Sequence, residues 1–557
     1  AVAYERDGTF NVAMQLSEAE AVADWRFYNS YARRVARVTA EDVRRVAAAY
    51  FTEDARTVGH FIPRRPGANG SHGSNGGAPA NGPSQARPAR ARRGRQFYRD
   101  PAEVYDAGGE DGPGGPRRSS PSGAAAAGAV SRAARTELET GAVLLVIENT
   151  AMPTVSVRGS LRAGSYFEGK ERPGLARLVA GMLERGTRRR TKIELAGDLE
   201  RVGAQVDFSA DPFAVQVVGR SLAGDFPLLL GALAEMLREP SFPEDELEKL
   251  KQQTVAAIRE QQSDTRWRAY ERLSQTVFDE SNPFYAHAGE RLIESVNSYT
   301  AADVREFYEK FYGGRSLIVS VAGDVRADEA ARLFRESFGD FGGPESVEIN
   351  VADPAQQEGA RREVVLVEDK ANVDVIIGSA APLRRDAADY YAAVLANRAL
   401  GESTLSSRLG LQVRDAEGLT YGIGSRFRTP SLAAGPWYIA VSVNPGNVER
   451  AINSALSVLR EYVREGIRPE ELEDEKSSAV GSFKVSLSTN AGLAEALWQA
   501  EFYRLGADYI ERYPQLIHAV TAEEVNAAIH KYFRPDHLTI VIAGNINPAH
   551  GEPAPVA

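Results

Sequence analysis

One helix-to-strand unit occurs three times in this chain, and this repeat constrains the fold more than any other feature. The copies begin at Thr39, Thr300 and Thr521, and each reaches a pair of aromatic residues before an apolar strand. In each copy an acid follows the Thr by three positions, the capping-box spacing that satisfies free N–H groups at a helix start. The copies share a longer context, since Ala19–Ala21 also matches Ala494–Ala496. The chain should therefore contain duplicated halves of one fold.

The chain divides where its composition changes. Between Pro66 and Val130, 14 residues are Gly and 8 are Pro. Such a segment buries too little apolar surface to offset its ordering entropy, so residues 65–133 are predicted to be a Gly/Pro/Arg-rich disordered linker. Strands and helices alternate after the linker, which indicates an α+β fold. A long helical stretch is predicted from Phe226 to about Asp279, and the strand of the first copy is predicted at Thr57–Ile62.

Charge and hydropathy exclude two classes of function. The formal net charge is −10, which argues against nucleic acid as a main partner. No apolar run approaches the ~18 residues that a membrane-spanning helix needs. The chain also contains no cysteine, so it can form neither disulfides nor thiolate metal sites.

Several spaced segments resemble the M16 metallopeptidases, the family of insulinase, pitrilysin and the mitochondrial processing peptidases. They include Arg158–Gly164, Lys251–Asp264 and Leu400–Leu409 as well as the two segments that carry the motifs. Gly174–Thr187 resembles the helix that carries the zinc motif in that family, and Val413–Gly422 resembles a segment of its C-terminal half. The resemblance implies an α+β fold of two homologous halves, each a mainly antiparallel sheet covered by helices. The implied domains are residues 1–64 (the C-terminal end of an upstream M16 unit), 65–133 (linker), 134–349 (first half, with a degenerate zinc helix) and 350–557 (second half). Because residues 1–64 match only the end of a repeat, we expect the chain to be part of a longer tandem protein.

The zinc ligands of the family are missing at the matching positions. Arg177 and Gly181 stand where the resemblance places the two zinc histidines, Ala180 where it places the general-base Glu, and Ala257 where it places the third ligand. A guanidinium has five donors and no acceptor, so Arg177 cannot replace a histidine. None of the seven histidines has another three or four positions away. We therefore expect neither a metal site nor catalytic residues in this chain. The neighbouring acids are predicted to be solvated charges: Glu168, Glu171 and Glu184.

One functional pair of the family is matched. Arg414 and Tyr421 are seven residues apart, as are the Arg and Tyr that reach toward peptide at the zinc of the partner half in M16 enzymes. Both side chains can donate hydrogen bonds to a peptide carbonyl or to its tetrahedral oxyanion. The alternative is an Arg on a solvated helix end and a strand Tyr in a core.

The resemblance implies a non-catalytic half of an M16-type zinc peptidase, inactive alone, that helps to enclose unstructured peptides. The expected partner is a catalytic, zinc-bearing M16 unit, either upstream in the same polypeptide or a separate subunit. Two alternatives stay open: a structural or assembly subunit like the core proteins of respiratory complexes, and a stand-alone peptide-binding module. Export to the bacterial periplasm or beyond is favoured, because related tandem proteins are often exported.

Overall fold

The computed structural model describes residues 4–59, 133–345, 347–428 and 431–546. The described part of the chain divides into two units, one that includes residues 4–28 and the described residues from 133 to 546, and one that includes residues 29–59. The predicted linker lies outside the described residues except for Ala133. The helices described before it are α1 (Thr9–Val22), α2 (Arg26–Val35) and α3 (Ala40–Tyr50).

The first half is built around a six-stranded sheet with the order β1-β2-β6-β3-β5-β4. Its strands are β1 (Ala134–Glu137), β2 (Val143–Glu148), β3 (Thr154–Leu161), β4 (Gln205–Ala210), β5 (Val215–Leu222) and β6 (Ile318–Gly323). Its helices are α4 (Leu175–Met182), α5 (Lys192–Arg201), α6 (Phe226–Arg238), α7 (Glu244–Gln262), α8 (Thr265–Val277), α9 (Gly289–Ser298), α10 (Ala301–Phe311) and α11 (Ala327–Phe338). Among the described strands of this sheet, only β2 and β6 pair in parallel, so the predicted, mainly antiparallel arrangement is confirmed.

The second half repeats this plan around a five-stranded sheet with the order β7-β11-β8-β10-β9. Its strands are β7 (Arg361–Leu366), β8 (Val373–Ala380), β9 (Ile423–Phe427), β10 (Pro436–Val443) and β11 (Thr539–Gly544). Its helices are α12 (Tyr390–Asn397), α13 (Val448–Glu465), α14 (Pro469–Ser486), α15 (Asn490–Phe502), α16 (Tyr509–Ala519) and α17 (Ala522–Tyr532), with π-helical segments at Arg398–Glu402 and Gly410–Ala416. The parallel pair is again the one made by the last strand, between β7 and β11.

Each half contributes one helix to the sheet of the other. α8 packs on β8 and β11, and α15 packs on β3 and β6. Successive side chains of a strand point to opposite faces, so both faces of these sheets must be apolar. In β2, Leu144 packs with the core of the first half, whereas Leu145 packs with Leu497 of α15. The Trp498 indole N–H also donates to the Ser160 hydroxyl at 2.8 Å, a buried link between the halves.

Two local predictions need correction. The helical stretch predicted from Phe226 to about Asp279 is three helices, because the chain breaks twice. Phe242 adopts a positive φ of 49° directly before Pro243, and the Asp264 carboxylate caps a new helix by accepting a hydrogen bond from the Trp267 N–H. In the first copy of the repeat, Thr57–Gly59 belong to no strand, and the rest of the predicted strand lies outside the described residues.

Candidate functional site

The helix that carries the degenerate zinc motif is fully formed. α4 buries Leu175, Leu178 and Met182 and packs against α7 and β4. Of the predicted positions on it, Arg177 is exposed and Ala180 is buried. The fourth position, Ala257, lies half-buried on α7. The two helices that would carry the zinc ligands are therefore neighbours, as the resemblance implies.

The side chains at this place do not fit a zinc ion. A catalytic zinc needs three protein ligands that offer lone pairs, and Arg177, Ala180, Gly181 and Ala257 offer none. Among the described residues, no group of three or more His, Cys, Asp or Glu could hold a metal ion. Leu250 fills part of the space, since a Cβ built at Gly181 would lie 3.1 and 3.4 Å from its two methyl carbons. An imidazole at position 181 would therefore require Leu250 to move.

Two acids beside this helix are structural, so the prediction that they are solvated charges is wrong. The Glu168 carboxylate accepts hydrogen bonds from the Gly174 and Ala176 N–H groups, both at 2.8 Å, and so caps the N-terminus of α4. Burial outweighs these donors and raises the pKa of Glu168 from 4.5 to about 7. Burial likewise raises the pKa of Glu184. Glu171 is exposed, as predicted.

Glu184 connects the zinc-motif region to the free edge of the first sheet. Its carboxylate accepts a hydrogen bond from the Phe208 N–H of β4 at 2.8 Å. β4 is the last strand of the sheet, and within the part of the chain that the structure describes it pairs only with β5. Because alternate residues of an antiparallel strand point their N–H groups the same way, the Val206 N–H also faces away from β5. A groove of about 610 Å³ runs here between β4, Gly181, Glu184 and Leu250.

The structure brings the predicted Arg–Tyr pair together. Arg414 lies in the π-helical segment Gly410–Ala416, and a turn at Gly418, whose φ is 63°, leads to Tyr421 just before β9. The Arg414 Nε donates to the main-chain carbonyl of Tyr421 at 3.1 Å, and its guanidinium also pairs with Asp415. The Tyr421 side chain is completely exposed (101%), so the alternative of a core tyrosine is wrong.

This arrangement presents the phenol of Tyr421 to the surface from a backbone that Arg414 holds. Arg414 holds the backbone of Tyr421, while the ring itself projects outward. Arg414 also keeps about a third of its own side-chain surface exposed. A phenol and a guanidinium can each donate hydrogen bonds to the carbonyl of a bound chain. The sequence pattern showed this pair but gave no sign of the Glu184–β4 contact, because that contact joins residues 24 positions apart.

Comparison with known proteins agrees with this architecture. The family model for insulinase (peptidase family M16) matches residues 143–287, and the model for the peptidase M16 inactive domain matches residues 298–479. The chain belongs to the M16 peptidase family. No helix among the described residues of this M16 protein is long and apolar enough to cross a membrane.

Relatives and solved structures extend the match over most of the chain. The M16 protein is 22% identical over 399 residues to the "non-peptidase homolog YmxG" of Helicobacter pylori, which covers 72% of this chain and 90% of the relative. It is 23% identical over 244 residues to the human mitochondrial-processing peptidase subunit beta, covering 42% and 47% of the two chains. The crystal structure of a peptidase M16 inactive domain from Pseudomonas fluorescens matches with a TM-score of 0.69 at 26% identity, covering 76% of this chain and all of that one.

Proposed function

We propose that this M16 protein is the non-catalytic half of a peptidase that encloses unstructured peptides together with a zinc-bearing M16 unit. In this role the partner breaks the bond, and this chain contributes part of the peptide-enclosing wall. The observation that carries the proposal is the exposed Tyr421 ring, whose backbone Arg414 holds in place on a chain without zinc-ligand side chains at the motif positions. An exposed aromatic ring with a fixed backbone is suited to a binding surface.

The chemical role of the pair follows from the two side chains. Cleavage of a peptide bond develops negative charge on the carbonyl oxygen, and preorganised donors stabilise it in the transition state. The Tyr421 hydroxyl and the Arg414 guanidinium are such donors. Arg414 fixes the Tyr421 main chain, so the backbone that carries the hydroxyl is already held before substrate arrives. The partner's zinc would polarise the carbonyl and supply the nucleophilic water.

Peptide affinity without sequence preference would come from main-chain hydrogen bonds. A peptide can add as a further strand to a free sheet edge, where its backbone is recognised whatever its side chains. The β4 edge offers the Val206 N–H for this purpose, and the groove of about 610 Å³ beside it leaves room for side chains. Glu184 holds the Phe208 N–H of the same edge and limits how far such pairing can extend.

The test is reconstitution with the zinc-bearing M16 unit of the same organism, with kcat and KM measured on an unstructured peptide. We expect Tyr421→Phe and Arg414→Ala each to lower kcat on the order of a hundredfold, the effect of losing one oxyanion donor. Arg464→Ala is the matched control, because Arg464 is an exposed arginine at the end of α13. Assembly is measured in parallel by sedimentation.

The outcomes separate the three functions. Lost turnover with intact assembly supports the proposal. Unchanged turnover in both variants would contradict the role of the pair, and assembly without any effect on turnover would favour a structural subunit. Peptide binding by the isolated chain, with no gain of turnover on adding the zinc-bearing unit, would favour a stand-alone binding module.

A further inference from the structure

The three copies of the repeat share one local geometry but differ in burial. Each of α3, α10 and α17 begins with a complete capping box, in which the Thr hydroxyl and the acid of the first turn satisfy each other's backbone N–H. The helices therefore form for the same local reason. The difference lies in what their apolar faces contact.

The apolar face of α3 is exposed. We define the α3 apolar surface as Val43, Val46, Tyr50 and Phe51, whose spacing places them on one side of the helix. Their side chains are between 44% and 87% exposed. The residues at the same positions of α17 are at most 3% exposed: Val525, Ala528, Tyr532 and Phe533. Contiguous exposed apolar side chains in one repeat, where the matched repeat is buried, indicate an unoccupied interface.

The buried copy shows what this surface is shaped to contact. The Tyr532 hydroxyl donates to the Asp389 carboxylate at 3.0 Å, and its ring lies 5.8 Å from that of Phe427. The Phe533 ring lies 4.8 Å from Trp437. All three partners belong to the second half, on or beside its sheet. The matching pair of α3, Tyr50 and Phe51, has the same two residue types at the same spacing and therefore suits the same contacts.

We infer that the α3 apolar surface docks into the second half of another M16 unit, at the place that α17 occupies in this chain. A second-half partner is indicated rather than a first half, because the match also includes Ala19–Ala21 with Ala494–Ala496 of α15. The partner is thus an M16 second half whose own terminal helix is absent. An intact second copy of this chain does not offer this place, since its own α17 fills it. This interface goes beyond the proposed role of Arg414 and Tyr421 and does not depend on it.

Site-specific photo-crosslinking tests the inference in the protein as its own cells make it. Benzoylphenylalanine replaces Tyr50 in the test protein and Arg45 in the control. Arg45 is the matched control, because its counterparts in both buried copies, Glu306 and Ala527, are exposed. We expect the Tyr50 probe to join an M16 second half at peptides aligned with Asp389 and Phe427, and the Arg45 probe to give no such product.

Two further variants make the result quantitative. Val43→Asp in the Tyr50-probe protein should lower the yield of this product about tenfold or more, since a carboxylate would be buried without a partner. Arg45→Asp in the same protein should leave the yield within about twofold, the range expected for an exposed charge. A product with residues 134–557 of this chain, in the same copy or in a second one, would overturn the inference. So would a product with lipid or with an unrelated protein, or equal yields from the two probe positions.

Discussion

A matched pair of valine substitutions tests the difference between the copies of the repeat directly. Val43 and Val525 occupy the same position after the capping Thr, yet Val43 is 59% exposed and Val525 is fully buried. Val525→Ala removes two methyl groups from the core of the second half. Val43→Ala removes the same groups from a surface. The chemical change is identical, so only the surroundings can make the two results differ.

The expected magnitudes follow from burial. Loss of two buried methyl groups costs about 1.6 kcal/mol in transfer free energy at about 0.8 kcal/mol each. The cavity left in a packed core adds about 1 kcal/mol. Alanine recovers about 0.5 kcal/mol through its higher helix propensity than valine. Val525→Ala should therefore lower the free energy of unfolding by about 2 kcal/mol. At the largely exposed Val43 the transfer loss and the propensity gain nearly cancel, and the expected change is within about 0.5 kcal/mol of zero.

Urea unfolding followed by circular dichroism at 222 nm measures both variants, together with Val304→Ala as a second buried copy. Val304 is also fully buried, so it should behave like Val525. The comparison is valid when all variants share the slope of the wild-type transition. If Val43→Ala were as destabilising as Val525→Ala in the isolated chain, α3 would already be packed, and the inferred docking surface would be refuted.

Two other predictions concern the degenerate zinc region. Burial raises the pKa of Glu168 from 4.5 to about 7, so as the pH rises the unfolded chain loses the Glu168 proton at a lower pH than the folded chain does. The free energy of unfolding should therefore fall as the pH rises between these two values, by up to about 3 kcal/mol. Urea titrations of the wild type across this pH range should show the fall in stability. Glu168→Gln should abolish the fall, and Glu171→Gln, at an exposed position, should leave it unchanged. A wild-type curve without the fall would contradict the burial argument. Equilibrium dialysis against zinc followed by elemental analysis should find far less than one zinc per chain, and one tightly held ion would show that the motif positions were misassigned.

Local patterns in the sequence predicted the local parts of the structure. The spacing of Thr and acid identified the helix starts at Thr39, Thr300 and Thr521, because a capping box involves only four consecutive residues. The break before α8 had a local signal as well, since Asp264 is a common N-cap residue type.

Contacts between distant parts of the chain could not be read from the sequence. Glu168 and Glu184 look like surface acids, because their burial depends on α4 and β4 folding against them. The exchange of α8 and α15 between the halves is also invisible in the pattern, which shows only that both faces of the strands are apolar. The exposure of Tyr421 belongs to the same class. Its neighbours in the sequence fit a strand core or a surface equally well, and only the exposure of the ring in the folded chain distinguishes the two.

The M16 frame can lose its zinc ligands and keep its fold because frame and ligands have different physical tasks. Gly174 starts α4 with a φ of 90°, which favours glycine over residues with a Cβ, and Met182 is fully buried. The Thr187 hydroxyl accepts hydrogen bonds from the Arg189 and Arg190 N–H groups just after the helix. These contacts are needed with or without a metal. The ligand positions make no contact of this kind that the fold needs. A methyl group at Ala180 is readily buried, whereas a buried ligand without its metal would be an unpaired polar group that lowers stability. A non-catalytic M16 chain is therefore expected to retain the glycines and apolar residues of the motif, and to lose its histidines and glutamates first.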